Sequence, residues 1–348
     1  MRGSPLREFA MVLLTSAVVS LGSWNMATAQ AVPEPGGTRN IEAIQRVTPD
    51  EFQETFKDRF SGGLEQQLPF RMATDSQGRI LVTEPFLSLV QVFDTEERRR
   101  WQIHGDREQE MEFPTYIAID AKDNIYLSDP LRAEVMVFRP DGHFLRNIGA
   151  GILDSPTGLA IDRANGALYV ADSWRDEIQV YSLEGKLIRT IGKSGTEAGA
   201  LRAPWELILR HGRLFVLESG NARFQTFDLE GNSKGIWPFG NDRWPVAFAF
   251  DRAGNLYWVD MESKGLLVTD PGGKQLASLD VQIQYGQPGG GSVYPSFMSV
   301  IEDEDGSMLV LRPTLAIDEV KLKGNGAGKR QKGFAETGLW EQDTGKPQ

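Results

Sequence analysis

Residues 156–173 read PTGLAIDRANGALYVADS, and residues 114–130 read PTYIAIDAKDNIYLSDP. Both run from a proline through a short apolar stretch to an aspartate. A polar turn with Gly or Asn follows, then a β-branched and aromatic stretch that ends in an acid. The pattern recurs as PFRMATDSQGRILVTEP (69–85), PWELILRHGRLFVLES (204–219), PVAFAFDRAGNLYWVDM (245–261) and PSFMSVIEDEDGSMLVLRP (295–313). The leading prolines are Pro69, Pro114, Pro156, Pro204, Pro245 and Pro295, spaced by 45, 42, 48, 41 and 50 residues. Six units with a period in the forties mark a repeat architecture rather than a sequence of unlike domains.

Each unit continues with a third strand, for example EIQVYSL (177–183) or RFQTFDL (223–229). A second turn, often acid-Gly, leads to a fourth, such as HFLRNIG (143–149) or KLIRTIG (186–192). The strands are apolar at successive positions instead of alternating, as expected when neighbouring sheets cover both faces. The expected fold is all-β: a six-bladed β-propeller of four-stranded antiparallel blades over residues 65–323. Unit six lacks an evident fourth strand. Ile41–Val47 and Phe334–Glu341, within the Gly/Lys-rich tail 324–348, are the candidates to cover that edge.

The N-terminus has the layout of a secretory signal over residues 1–29. Arg2 and Arg7 precede an apolar run, Phe9 to Gly22, and Ala27-Thr28-Ala29 suits signal-peptidase cleavage. The run is short for a membrane span. A periplasmic or secreted, monomeric protein without a membrane span is therefore expected. Residues 30–64 read as a Pro/Gly-rich linker and a short N-terminal helix. Thr48 is its N-cap, Pro49 opens its first turn, and Phe52, Phe56 and Phe60 form one stripe.

Composition removes several functions. The net charge is −11, against the basic surface that nucleic-acid binding requires. With no cysteine, disulfides, thiol nucleophiles and Cys-ligated zinc are excluded. QPGGGS (287–292) lacks the Lys-Ser/Thr of a phosphate loop.

The repeat resembles the NHL family, whose pattern is seen in Pro156, Gly158, Ala160, Asp162, Gly166, Tyr169, Val170, Asp172, Gln179 and Tyr181. Unit four adds Asn221, Arg223, Gln225 and Phe227. NLYWVD (255–260) is also similar to the YWTD propellers of lipoprotein receptors and to gluconolactonase-type lactonases. The resemblance implies a propeller whose second-to-third-strand and inter-blade loops share one ligand-binding face. It does not by itself imply a reaction.

On that face Glu84, Asp129, Asp172, Glu218, Asp260 and Arg312 open the second-to-third-strand loops. A residue repeated in nearly every unit has a local job. The acids read as strand-end carboxylates accepting backbone N–H bonds from the turn that follows. Ligand binding is expected where the repeat is broken, at Arg71, Tyr116, Trp205, Glu206, Phe297 and Arg312, with Trp174 and Arg175 in a neighbouring loop. Arg71 and Glu206 lie three blades apart, so they face each other across the ring.

The main reading is a non-catalytic module, without cofactor, binding a protein, peptide or glycan at the channel face. The alternative is a lactonase or esterase that holds a divalent cation such as calcium on Glu84, Asn221 and Asp260. Resemblance to propeller lyases would imply channel histidines, but the three present, His104, His143 and His211, fall in unrelated repeat positions.

Overall fold

The computed structural model describes residues 41–47, 69–94, 96–97, 99–106, 109–239, 245–260, 265–270, 274–279, 299–302, 306–311 and 317–322. They form six four-stranded antiparallel sheets. Blade 1 comprises Met72–Thr74, Ile80–Glu84, Leu89–Asp94 and Arg99–Ile103; blade 2, Ile117–Ile119, Ile125–Asp129, Glu134–Phe138 and Phe144–Ile148. Blade 3 comprises Pro156–Asp162, Ala167–Asp172, Glu177–Ser182 and Leu187–Ile191; blade 4, Pro204–Arg210, Arg213–Glu218, Arg223–Asp228 and Ser233–Pro238. Blade 5 comprises Pro245–Phe250, Leu256–Asp260, Gly265–Thr269 and Gln275–Leu279.

Blade 6 has Ser299–Glu302, Met308–Leu311 and Ile317–Leu322, and its fourth strand is Ile41–Arg46. The closing strand is therefore the first of the two candidates, Ile41–Val47, and the propeller takes in a strand that precedes residue 65. Its register, Ile44 opposite Val320 and Arg46 opposite Asp318, supplies partners to an edge that would otherwise stand open. The Val47 N–H extends the ladder by donating to the Ile317 carbonyl at 2.8 Å. The expected N-terminal helix, the expected signal segment and the 324–348 tail lie outside the described residues.

The first strands neighbour one another around a closed ring and so line the channel. Second and third strands form the core: every residue of Ile80–Glu84, Ile125–Asp129, Glu134–Phe138 and Ala167–Asp172 is buried. Continuous burial is the reason these strands do not alternate in polarity. Tyr126, Tyr169, Tyr181 and Tyr257 are among the largest fully buried side chains, packed between blades. Outer strands are wetter, with Leu187 and Ile188 exposed in blade 3. Gly185 takes φ +98° in the turn before that strand, a conformation L side chains avoid.

Antiparallel order assigns the two faces. Loops from second to third strand, and from one blade to the next, gather at one end of the channel, here called the loop face. First-to-second-strand turns gather at the other, the turn face.

Candidate functional site

The first strands begin at the loop face, and there the structure brings Arg71, Tyr116, Trp205 and Glu206 together. Arg71 Nε lies 3.6 Å from Glu206 Oε1 across the channel. The guanidinium donates to the Tyr116 hydroxyl at 2.8 Å and the Phe70 carbonyl at 2.9 Å, and also to the Val246 carbonyl. Its Cζ stands 4.3 Å from the Phe70 ring centroid and 4.5 Å from that of Tyr116. Glu206 accepts the Phe248 N–H at 3.2 Å. Phe70, Tyr116 and Trp205 meet edge to face at 5.7 to 6.4 Å between centroids. One cluster thus ties blades 1, 2, 4 and 5 at the axis.

These side chains converge on one another instead of on an open pocket. Arg71 is 4% exposed and Glu206 8%. Burial pushes the Glu206 carboxyl up to about 7, against the opposing pull of Arg71 and the Phe248 N–H. Burial likewise raises the Tyr116 hydroxyl, so it stays protonated. Such a pair is held by geometry more than by net electrostatic gain, because desolvation of both charges is costly. The aromatic faces offset part of that cost.

Phe70 was not among the expected residues. Its signal lay in the repeat: it follows its leading proline as Trp205 does three blades away, whereas Thr115 and Thr157 fill that position in blades 2 and 3.

The strand-end acids serve the scaffold. Asp172, fully buried, accepts the N–H groups of Asp154 at 2.9 Å and Ser155 at 3.0 Å. Asp129 accepts those of Glu112 and Phe113 at 2.7 and 3.0 Å. Glu218 accepts Arg202 N–H at 3.0 Å, along with the side chains of Asn221, Arg223 and Gln225. The principal donors therefore precede each blade's first strand, a correction to the expectation that they come from the following turn. Asp129 also receives a longer bond from the following turn, Arg132 N–H at 3.3 Å. These three acids clamp the loops by which the chain enters blades 2, 3 and 4. Burial raises the carboxyls of Asp129 and Asp172, an effect their backbone donors partly offset.

Trp174, 40% exposed, and Arg175 lie on the loop face outside the plug. Arg175 Nε is 3.2 Å from Asp154 and 3.6 Å from Asp172. Phe86, 37% exposed, packs edge-on against Phe113 at 5.2 Å, and Ile152 is 43% exposed in the loop into blade 3. Phe297 and Arg312 lie outside the described residues.

The residues of the cation alternative stand in three different blades, 1, 4 and 5. Glu84 and Asp260 are buried at strand ends of blades 1 and 5. The Asn221 amide donates to Glu218 at 2.7 Å and to the Gly195 carbonyl at 3.0 Å. Among the described residues, no three His, Cys, Asp or Glu side chains group to hold a metal ion. His211 occupies the first turn of blade 4, His143 precedes an outer strand, and His104 contacts Gln102 at 3.1 Å.

Fold and channel define a six-bladed β-propeller with a plugged loop face. The NHL repeat model matches residues 153–181, which span the first three strands of blade 3. "Protein brain tumor" of Drosophila melanogaster is 30% identical over 98 residues, 27% of this chain. The match spans 10% of that relative's length. Among solved structures, a streptogramin B lyase superposes with TM-score 0.56 at 12% identity, covering 82% of this chain and 98% of that one. Catalytically inactive virginiamycin B lyase from Staphylococcus aureus with quinupristin gives 0.56 at 10% identity, covering 80% and 99%. The nidogen/laminin complex gives 0.53 at 19% identity, covering 62% and 80%. At these identities the likeness is one of fold alone.

Proposed function

We propose that this protein is a binding module that receives a protein or peptide segment on the loop face. The observation that carries the reading is the placement of exposed apolar side chains. Phe86, Ile152 and Trp174 all stand in loops of this face, beside the buried plug. Exposed aromatic groups on a rigid rim serve as anchors for a partner's apolar side chains. The plug favours a docked surface over a swallowed small molecule, because Arg71 and Glu206 fill the channel mouth. The Asp172 clamp holds the loop that presents Ile152, so little freedom of that loop is lost on binding.

Export belongs to the same proposal. The N-terminal pattern over residues 1–29 supports it, and the described residues include no helix long and apolar enough to cross a membrane. We take the working form to be a monomer in the periplasm or outside the cell. N-terminal sequencing of protein from the native host tests export, with a start near Gln30 expected.

The binding test uses the full chain and its Phe86→Ala/Trp174→Ala variant as baits for envelope extract, followed by affinity measurement with each captured protein. Loss of at least tenfold in affinity in the variant, with an unchanged thermal transition, is expected. Equal affinity for both baits would refute the loop-face reading.

A further inference from the structure

We infer that the segment received on the loop face carries lysine or arginine beside its apolar residues, with the cations placed over Glu112 and Asp154. This partner chemistry rests on the loop face being the docking surface, and it names what that surface selects. Apolar and acidic side chains stand side by side there in two places. In the first, Phe86 packs against Phe113, whose chain neighbour Glu112 is exposed, and the Ser88 hydroxyl donates to the Glu112 carbonyl at 2.9 Å. In the second, exposed Asp154 follows Ile152 by two residues, and Arg175 Nε at 3.2 Å brings the Trp174 loop against it.

The scaffold does not require these acids. Glu112 and Asp154 serve the clamps of Asp129 and Asp172 through their main-chain N–H groups. Both stand two positions before a leading proline. In blade 4 that position is Arg202, whose N–H reaches Glu218 in the same way. Either sign of charge therefore suits the clamp. An acid is the less stable choice, because it sets a second negative charge beside a buried one. Burial raises the carboxyls of Asp129 and Asp172, and the charges of Glu112 and Asp154 push them in the same direction. A cation brought by a partner relieves that repulsion.

Local cations do not cancel the acids. In loops 85–88, 104–116, 130–133, 149–155 and 173–176, the described lysine and arginine side chains are Arg132 and Arg175. Arg132 pairs with Glu134 at 2.6 Å. Arg175 is shared between Asp154 and Asp172, at 3.2 and 3.6 Å. Glu110 adds an exposed acid on the loop that carries Glu112. Negative charge is thus in excess in the sector that presents Phe86, Ile152 and Trp174. Rim charges of one sign steer an oppositely charged partner and fix its register, while the apolar groups supply the contact.

The test titrates a short synthetic peptide of Lys-Leu-Gly repeats, its Glu-Leu-Gly counterpart and its Lys-Ser-Gly counterpart into the full-length protein. Saturable binding of the Lys-Leu-Gly peptide is expected, at least fivefold tighter than either counterpart and weakening with added salt. Glu112→Gln/Asp154→Asn keeps both main-chain donors, so its thermal transition should be unchanged or raised. Its affinity for the Lys-Leu-Gly peptide should fall at least fivefold, with a flatter salt dependence. No saturable binding of that peptide, equal binding of the Glu-Leu-Gly peptide, or full affinity in the acid variant would each overturn the assigned partner chemistry. If Phe86→Ala/Trp174→Ala weakens binding in those cases, the loop-face reading stands without its charge preference. Binding that ignores the Phe86 and Trp174 substitutions would instead refute the loop face as the docking surface.

Discussion

Arg71 on blade 1 and Glu206 on blade 4 meet 3.6 Å apart at the axis of the propeller, both nearly out of water. Removing one partner leaves the other charge buried and uncompensated, at a cost of about 3–5 kcal/mol. Arg71→Met should therefore destabilise the protein by that order. Arg71→Met/Glu206→Leu should recover most of the loss, since both charges then leave the apolar centre. Urea unfolding of the single and double variants measures the coupling.

The same pair makes stability depend on pH. The Glu206 carboxyl titrates near 7 in the fold and has an ordinary value of 4.5. Its raised value means that the folded state holds this proton more tightly than the unfolded state. The associated stability is fully present below about 4.5 and is lost as pH rises through about 7. Asp129 and Asp172 are also raised and slope the same way. The difference between wild type and Glu206→Gln isolates the channel group. Urea midpoints from pH 5 to 8 should fall more steeply for the wild type.

Gly158 marks the closest approach of two blades. A Cβ there would lie 2.7 Å from Glu206 Cα and from the Trp205 carbonyl oxygen, and 2.8 Å from the Leu207 nitrogen. All three are backbone atoms, which cannot swing aside. Gly158→Ala should cost about 1–3 kcal/mol through forced separation of the first strands of blades 3 and 4. It should also shift the Trp205 fluorescence environment, whereas Gly166→Ala, with open space at its Cβ, should leave that signal unchanged.

Asp172 orders the loop into blade 3. Asp172→Ala removes the acceptor of two buried or half-buried N–H groups and should cost about 1–3 kcal/mol. Hydrogen exchange should rise first at the amides of Asp154 and Ser155. Unchanged protection there would contradict the clamp.

Ring closure gives a truncation test. Removing residues up to Arg46 exposes the Ile317–Leu322 edge. A lowered Tm is expected, by about 2–4 °C for each kcal/mol lost at this size. Concentration-dependent association should follow, because an unpaired strand edge templates intermolecular pairing. Light scattering during a thermal ramp checks both outcomes.

The repeat was legible because strands and turns are local. Pro156, the Asp162 turn and the apolar run Ala167–Asp172 specify a hairpin from neighbours alone, and six copies specify a ring. The opposition of Arg71 and Glu206 followed from counting, since positions three blades apart face each other in a ring of six. The donors to Asp172 were less legible. Its side chain meets Asp154 and Ser155, residues 18 and 17 positions upstream, and no local propensity encodes that approach.

Sequence alone determined the six-bladed architecture and the residues that break its repeat, because periodicity and composition survive without coordinates. Tertiary structure decided that Arg71, Tyr116, Trp205 and Glu206 plug the channel instead of lining an open mouth. It also selected Ile41–Arg46 as the closing strand. Each of these outcomes depends on how far side chains reach across the axis, or on which distant segment pairs with a given edge. Such distances arise only when all six blades are in place.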